Sequence, residues 1–183
     1  MIIAVVDNGN GSKIASMIPF TKLIKPKDFN KVKASAYILS DGPYSKVAQE
    51  ANSKIIESTE VPILGIGIGY IYVGSMYDCK IKEVKKTKKR NVFRIMHNSP
   101  LLVDMRRVDA FQEYTHVLEN VPEDLLLIAA SPECKHEIIQ DMVQPIFGIH
   151  MNPELGGDGK LILNNFLRFV EVFEKYHKKK QAE

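Results

Sequence analysis

Val61-Pro62-Ile63-Leu64-Gly65-Ile66-Gly67-Ile68-Gly69-Tyr70 reads as a buried strand that runs into a tight glycine turn and on into a helix. That strand–turn–helix is the design of a nucleophile elbow. The sharp turn lifts one side chain above the C-terminal edge of the sheet, and small flanking residues let the backbone bend. The tip falls on Gly67, which has no side chain. The elbow of this chain therefore carries no nucleophile.

Working outward, apolar runs alternate with helical periodicity. Ile2–Val6 is a continuous apolar run closed by the turn cluster Asp7-Asn8-Gly9-Asn10-Gly11, and a short helix follows over Ser12–Ile18. A weak strand is expected near Lys22–Ile24 and a buried one over Ser35–Leu39, closed by Ser40-Asp41-Gly42-Pro43. Val47, Ala48, Ala51, Ile55 and Ile56 recur at spacings of three and four, which predicts a helix over Ser45–Ser58. Strand Val61–Ile66 and helix Ile68–Tyr77 complete a βαβαβα half. Near-continuous apolar strands of this kind belong in a parallel sheet covered on both faces. Such a sheet places its functional loops beyond the strands' carboxyl ends, where Asn8, Asp41 and Gly67 fall.

Beyond Cys79 the strands become alternating: Lys80–Lys85, Asn91–Met96, Arg107–Glu113 and Leu125–Ser131 are expected to be antiparallel and partly solvent-facing. Lys85-Lys86-Thr87-Lys88-Lys89-Arg90 between the first two reads as a solvated hairpin turn, with a site for an acidic partner or nucleic acid as the alternative. Ile138–Met142 and Pro145–His150 follow. A final helix spans about Gly159–His177, with Asp158 as N-cap, a stripe of Ile162, Phe166, Phe169, Val170 and Phe173, and a frayed basic tail at His177-Lys178-Lys179-Lys180. With no internal repeat or linker, residues 1–183 read as one domain.

Composition limits the function classes. The chain has 183 residues, 45% hydrophobic and 26% charged, enough for a sizeable core. It has no 18-residue apolar run, and Met1-Ile2-Ile3-Ala4-Val5-Val6-Asp7 lacks a basic leader and cleavage site, so no membrane association is expected and the location is expected to be cytoplasmic. Cys79 and Cys134 are far apart, with no CxxC and no Cys/His cluster along the chain, which argues against a disulfide framework or a metal site. A net charge of +3 is too mild to point to nucleic acid. Gly65-Ile66-Gly67-Ile68-Gly69 imitates a dinucleotide fingerprint, but the third glycine of GxGxxG falls on Tyr70 or Tyr72. Gly156-Gly157-Asp158-Gly159-Lys160 imitates a P-loop whose first glycine falls on Glu154. No cofactor is expected. Cys79 lies across a predicted helix from Gly67, about 18 Å away at 1.5 Å per residue. His136 is close to Cys134 in sequence, on a loop where spacing says little about geometry. His150, Asn152, Glu154, Tyr70, Glu113 and His116 form a polar set that the fold can bring together; His150 and Asn152, two apart on a strand, are expected on one face.

Five strings carry a likeness: Val6-Asp7-Asn8-Gly9; Ile38-Leu39-Ser40-Asp41-Gly42-Pro43; Pro62-Ile63-Leu64-Gly65-Ile66-Gly67-Ile68-Gly69; Pro145-Ile146-Phe147-Gly148-Ile149-His150-Met151-Asn152-Pro153-Glu154; and Gly159-Lys160-Leu161-Ile162-Leu163-Asn164-Asn165-Phe166. In this order and spacing the chain resembles the class I glutamine amidotransferases, nearly end to end, and within them the glutaminase subunit of two-subunit archaeal GMP synthases. The resemblance implies a flavodoxin-like α/β fold: a mostly parallel sheet with helices on both faces and an antiparallel β extension.

It also implies a Cys–His–Glu triad, which aligns here with Gly67, Asn152 and Glu154. Only the carboxylate member is kept. Without a thiolate there is no attack on the carboxamide, and an amide at Asn152 has no useful pKa for moving the proton. The family's Gly-Gly-Pro oxyanion loop is Asp41-Gly42-Pro43. The N–H groups of Gly42 and Ile68 can still face the hole, but an ionised Asp41 opposes a developing negative charge there. The His-Gln pair after the elbow is Tyr70-Ile71, and a family Ser-His pair aligns near Glu113-Tyr114. The expectation is a catalytically inactive amidotransferase-like protein that serves a binding, scaffold or regulatory role, with a synthetase-type partner or itself. Two alternatives stay open: a glutaminase-type subunit of GMP synthase in purine nucleotide biosynthesis, and a rebuilt enzyme in the same pocket.

Overall fold

A computed structural model describes residues 1–180, with side chains given through His177. The strands are β1 (Ile3–Val6), β2 (Thr21–Ile24), β3 (Ala36–Leu39), β4 (Ile63–Ile66), β5 (Ile81–Ile95), β6 (Arg107–Leu118), β7 (Leu125–Ala130), β8 (Ile138–Asp141) and β9 (Ile146–Ile149). The helices are α1 (Gly11–Met17), α2 (Lys46–Ser58), α3 (Ile68–Ser75) and α4 (Gly159–Lys180). The strands form one nine-stranded sheet in the order β2-β1-β3-β4-β9-β8-β7-β5-β6. From β2 to β9 every pairing is parallel. The pairings from β9 through β8, β7 and β5 to β6 are antiparallel. The expected α/β architecture, with β1, β3 and β4 as parallel neighbours and an antiparallel extension, is the observed one.

The fully buried sequences of β1, β3, β4 and β9 follow from helices on both faces. On one face Ile14 of α1 and Ile162, Phe166 and Val170 of α4 pack against Ile3, Val5, Ile38 and Leu64. On the other, Ile55 and Ile56 of α2 and Ile68 to Val73 of α3 pack against Ala4, Val6, Leu39 and Ile63. Phe147 of β9 meets Phe169 edge-on at 5.2 Å, which closes the first core against the last helix. Three 3-10 turns, Pro26–Lys31, Pro100–Leu102 and Pro153–Leu155, each begin on a proline, whose fixed φ and missing N–H suit that position.

Three local expectations are corrected. Lys85–Arg90 is not a turn but the middle of β5, a 15-residue strand paired with β6 across a register shift between Glu83 and Thr87. A two-stranded ribbon that leaves the core needs no apolar face, so a run of lysines fits a strand there. Glu113 answers Lys86 at 2.7 Å and Lys88 at 3.7 Å, and Asp109 pairs with Arg90. Residues 96–106, with Ser99-Pro100, make the connection instead. Val47 belongs to the exposed side of α2, 77% accessible, and the buried polar residue Asn52 takes its place on the inner face. Asn52 is tolerated there because its amide donates to Asn8 Oδ1 at 2.8 Å and to the Ala48 carbonyl at 2.7 Å. Ser45 is the N-cap of α2, accepting from the Ala48 N–H, so the helix starts one residue later than the periodicity suggested. At the other end of the chain, the Asp158 carboxylate accepts from the Asp109 N–H at 2.7 Å and ties the start of α4 to β6. The helix continues through Lys180; the side chains of Lys178–Lys180 lie outside the described set.

Candidate functional site

The loops after β1, β3, β4 and β9 meet at the carboxyl edge of the sheet. Asp7 closes the first, its Oδ1 accepting from the N–H groups of Gly9 and Gly11 at 3.0 and 2.9 Å. Ser40 joins the first to the second: its Oγ accepts from the Asn8 N–H and its carbonyl from Asn8 Nδ2, both at 3.0 Å. The elbow follows β4. Gly67 has φ 57° and ψ −111°, a conformation in which a side chain is strained, and its N–H donates to the Ile149 carbonyl at 3.0 Å. A Cβ on Gly69 would lie 2.1 Å from the Leu39 carbonyl oxygen, and one on Gly65 would lie 2.5 Å from that of Gly69. The glycines let α3 start against the backbones of β3 and β4.

The tip of the elbow is occupied by Asp41. Its Oδ1 accepts from the Ile68 N–H at 2.8 Å. Its Oδ2 accepts from Asn152 Nδ2 at 3.0 Å and, at the edge of hydrogen-bond range, from Asn10 Nδ2 at 3.4 Å. A Cβ built on Gly67 would lie 2.4 Å from Oδ1. The carboxylate therefore fills the space into which an elbow side chain would project, and it engages a backbone N–H of the kind that stabilises an oxyanion. The structure seats the Asp41 carboxylate directly over Gly67, on the Ile68 N–H.

Asn152 is held from both ends. Its Oδ1 accepts from the Glu113 N–H at 2.7 Å, and its amide reaches Glu154 Oε1 at 3.4 Å as well as Asp41. Glu154 Oε2 is buried without a hydrogen-bond partner among the described residues. Burial, reinforced by the Asp41 charge and opposed by the Asn152 amide, raises the Glu154 carboxyl above its ordinary value. Outside this corner lies an open polar cavity of about 580 Å³, whose walls include Lys13, Tyr44, Lys86, Glu113, Tyr114 and His116. His116 stacks on Tyr44 at 4.4 Å, and burial lowers its pKa.

Of the sequence-derived positions, Asp41, Gly42, Glu113, Tyr114, Asn152 and Glu154 line this cavity, and Gly67 and Ile68 lie beneath Asp41. Tyr70 and Ile71 do not line it. Both are fully buried in the α3 core, because the first turn of α3 points them into the sheet. His150 and Asn152 also part company. β9 ends at Ile149, so strand alternation no longer governs them. His150 turns behind the elbow and stacks on Tyr70 at 5.1 Å.

Behind the elbow the fold assembles what spacing along the chain did not show. Cys134, Glu137 and His150 are all buried, with side-chain donor atoms within 4.8 Å of one another. His150 Nδ1 lies 3.0 Å from Glu137 Oε2. Burial alone would depress the His150 pKa, but Cys134 and Glu137 outweigh it and raise it to about 9. Glu137 and Gln112 are the residues sequence reasoning missed; Glu137 stands in the polar run Lys135-His136-Glu137 before β8, where nothing along the chain marks it as buried. His136, the sequence neighbour of Cys134, faces away, its Nδ1 3.0 Å from the Leu118 carbonyl. Cys79 is apart from this group, its thiol pushed up to about 11 by burial.

No family model matches the chain. A crystal structure of a Thermoplasma acidophilum protein described as a GMP synthase subunit superposes with a TM-score of 0.90, covering 97% of this chain and 98% of that one at 20% identity. A glutamine amidotransferase from Thermotoga maritima superposes at 0.64, covering 100% and 85% at 15% identity. The fold is that of a class I glutamine amidotransferase. In sequence, this amidotransferase-like chain is 27% identical over 160 residues to a subunit of the glutamine-hydrolyzing GMP synthase of Methanopyrus kandleri, covering 84% of each. The same identity is found over 164 residues of the corresponding subunit from Methanocaldococcus jannaschii, 87% of this chain and 85% of the relative. No helix among the described residues is long and apolar enough to cross a membrane.

Proposed function

We propose that this chain is a component of a GMP synthase-type assembly that takes the place of the glutaminase subunit without hydrolysing glutamine, and that it works by binding a synthetase-type subunit. The likeness to one subunit of two archaeal GMP synthases supports the assembly. The observation that carries the rest is the Asp41 carboxylate seated at the elbow tip. Glutaminase chemistry needs a thiolate there and an empty N–H for the oxyanion. Here Gly67 supplies no thiolate and Asp41 takes the Ile68 N–H. Asn152, at the base position, donates to that same carboxylate.

The test measures ammonia release from glutamine by the purified chain, alone and mixed with a GMP synthetase subunit from the same source, with light scattering on the mixture. The expected result is a stable complex and no ammonia above the blank. Ammonia release that Glu154→Ala abolishes would overturn the inactive-subunit reading, leaving a working glutaminase subunit. Absence of a complex with the synthetase subunit would overturn the assembly. A second reading is favoured by the open cavity of about 580 Å³ beside Asp41: a rebuilt polar pocket for a small metabolite. Binding and turnover of a metabolite by a strict monomer would select it.

A further inference from the structure

Cys134, Glu137 and His150 converge from the loop after β7, the residue before β8 and the residue after β9. We propose that they form a site for a borderline divalent cation of the zinc class, bound by the Cys134 thiolate, one Glu137 oxygen and His150 Nδ1.

The hydrogen bonds around the cluster leave a place for a proton or a metal ion between His150 and Glu137. His150 Nε2 lies 3.2 Å from the His116 carbonyl oxygen, which only accepts, so Nε2 carries a hydrogen. That leaves Nδ1 facing Glu137 Oε2 at 3.0 Å. Glu137 is already an acceptor at both oxygens: Ser131 Oγ donates to Oε1 at 2.7 Å and Gln112 Nε2 to Oε2 at 2.8 Å. A ring lone pair opposed to a carboxylate oxygen is repulsive unless a proton or a metal ion sits between them. A proton satisfies that pair alone. A metal ion also uses Cys134, the third buried donor, whose thiol otherwise makes only a long hydrogen bond among the described residues, to the His136 carbonyl at 3.7 Å.

The donor chemistry narrows the ion. Sulfur, nitrogen and a single carboxylate fit zinc and its neighbours and not magnesium or calcium, which require several hard oxygens. Ligands of a tetrahedral zinc sit roughly 3.5 Å apart. Donors already within 4.8 Å reach that spacing by a small movement of the Cys134 loop. The supporting bonds resemble those that orient metal ligands. The His116 carbonyl fixes the imidazole tautomer. Ser131 Oγ accepts from the Cys134 N–H at 3.1 Å while it holds Glu137, so one hydroxyl positions two ligands. Cys134 also lines a surface cavity of about 570 Å³ that has Glu119 and Glu133 beside Lys82, Lys85 and Lys135. This offers an entry path and room for a water as fourth ligand. The site would lock the Ser131–His136 segment to the back of the elbow, where Tyr70 donates to the His136 carbonyl.

The test uses the full chain stripped with a chelator and titrated with Co²⁺ and Zn²⁺. The expected result is one metal per chain by elemental analysis and a Co²⁺ spectrum with a thiolate-to-cobalt charge-transfer band. That band disappears in Cys134→Ser and persists in Cys79→Ser. Ser131→Ala removes the supporting bonds to Glu137 and to the Cys134 N–H but no ligand, and should weaken Zn²⁺ binding about tenfold or more while leaving the band's shape unchanged. Substoichiometric binding, a spectrum without the charge-transfer band, or a band unchanged in Cys134→Ser would overturn the proposal and leave a proton between His150 and Glu137.

Discussion

Replacing Gly67 with alanine, with Asp41 present and with Asp41→Gly, measures how far the carboxylate fills the elbow. Asp41 accepts from the Ile68 N–H at 2.8 Å and from Asn152 Nδ2 at 3.0 Å, with Asn10 marginal at 3.4 Å. Hydrogen bonds to a charged group are worth about 1.5–3 kcal/mol each when buried. Asp41 is half-buried. Discounted for solvent, the set amounts to roughly 2–3 kcal/mol. An alanine Cβ at position 67 would lie 2.4 Å from Oδ1, 2.6 Å from Cγ and 2.8 Å from Cβ of Asp41. The side chain must leave, and those bonds go with it. Holding a non-glycine residue at φ 57° adds about 1–2 kcal/mol. Gly67→Ala should therefore cost roughly 3–5 kcal/mol with Asp41 present, but only about 1–2 kcal/mol in the Asp41→Gly background, where the strain alone remains. Urea unfolding of the four proteins gives the coupling, expected at about 2–3 kcal/mol. Additivity to within about 0.5 kcal/mol would refute the filled-elbow argument.

Gly69→Ala drives a Cβ to 2.1 Å from the Leu39 carbonyl oxygen, a backbone atom that cannot rotate away; a loss of about 3 kcal/mol or more is expected, read as a fall in Tm of roughly 6–12 °C. A fall of a degree or less would mean that α3 does not dock on β3 as described. Glu154 has a folded carboxyl pKa raised above its unfolded value, chiefly by burial. The unfolded chain loses this proton first as pH rises, so the group's stabilising contribution is complete below the unfolded pKa and is lost as pH climbs through the folded one. Glu154→Gln removes that slope, so the Tm of the variant minus that of the wild type should be more positive at pH 7 than at pH 4. A difference that does not change with pH would contradict it.

The parallel half of the sheet was legible because its strands are buried on both faces. Burial on both faces turns β1, β3 and β4 into continuous apolar runs, and the turn residues after them mark the carboxyl edge. Gly67 was legible as an elbow for the same local reason: strand, glycine turn and helix adjoin in the chain, and the left-handed φ follows from that geometry. Local pattern failed where the cause was remote. The basic run of β5 looks like a turn until β6 brings Glu113 to Lys86 and Asp109 to Arg90. Tyr70 and Ile71 look like pocket residues until the docking of α3 buries them.

What only the tertiary structure decided is where the polar groups meet. Asp41 and Asn152 are 111 residues apart, yet their hydrogen bond closes the corner over Gly67. Cys134, Glu137 and His150 show no ligand spacing along the chain, because β8 and β9 must pair before the three converge. Periodicity records which face of an element is buried. It does not record which side chains arrive from other elements to share that burial, and both the filled elbow and the cluster behind it depend on those arrivals.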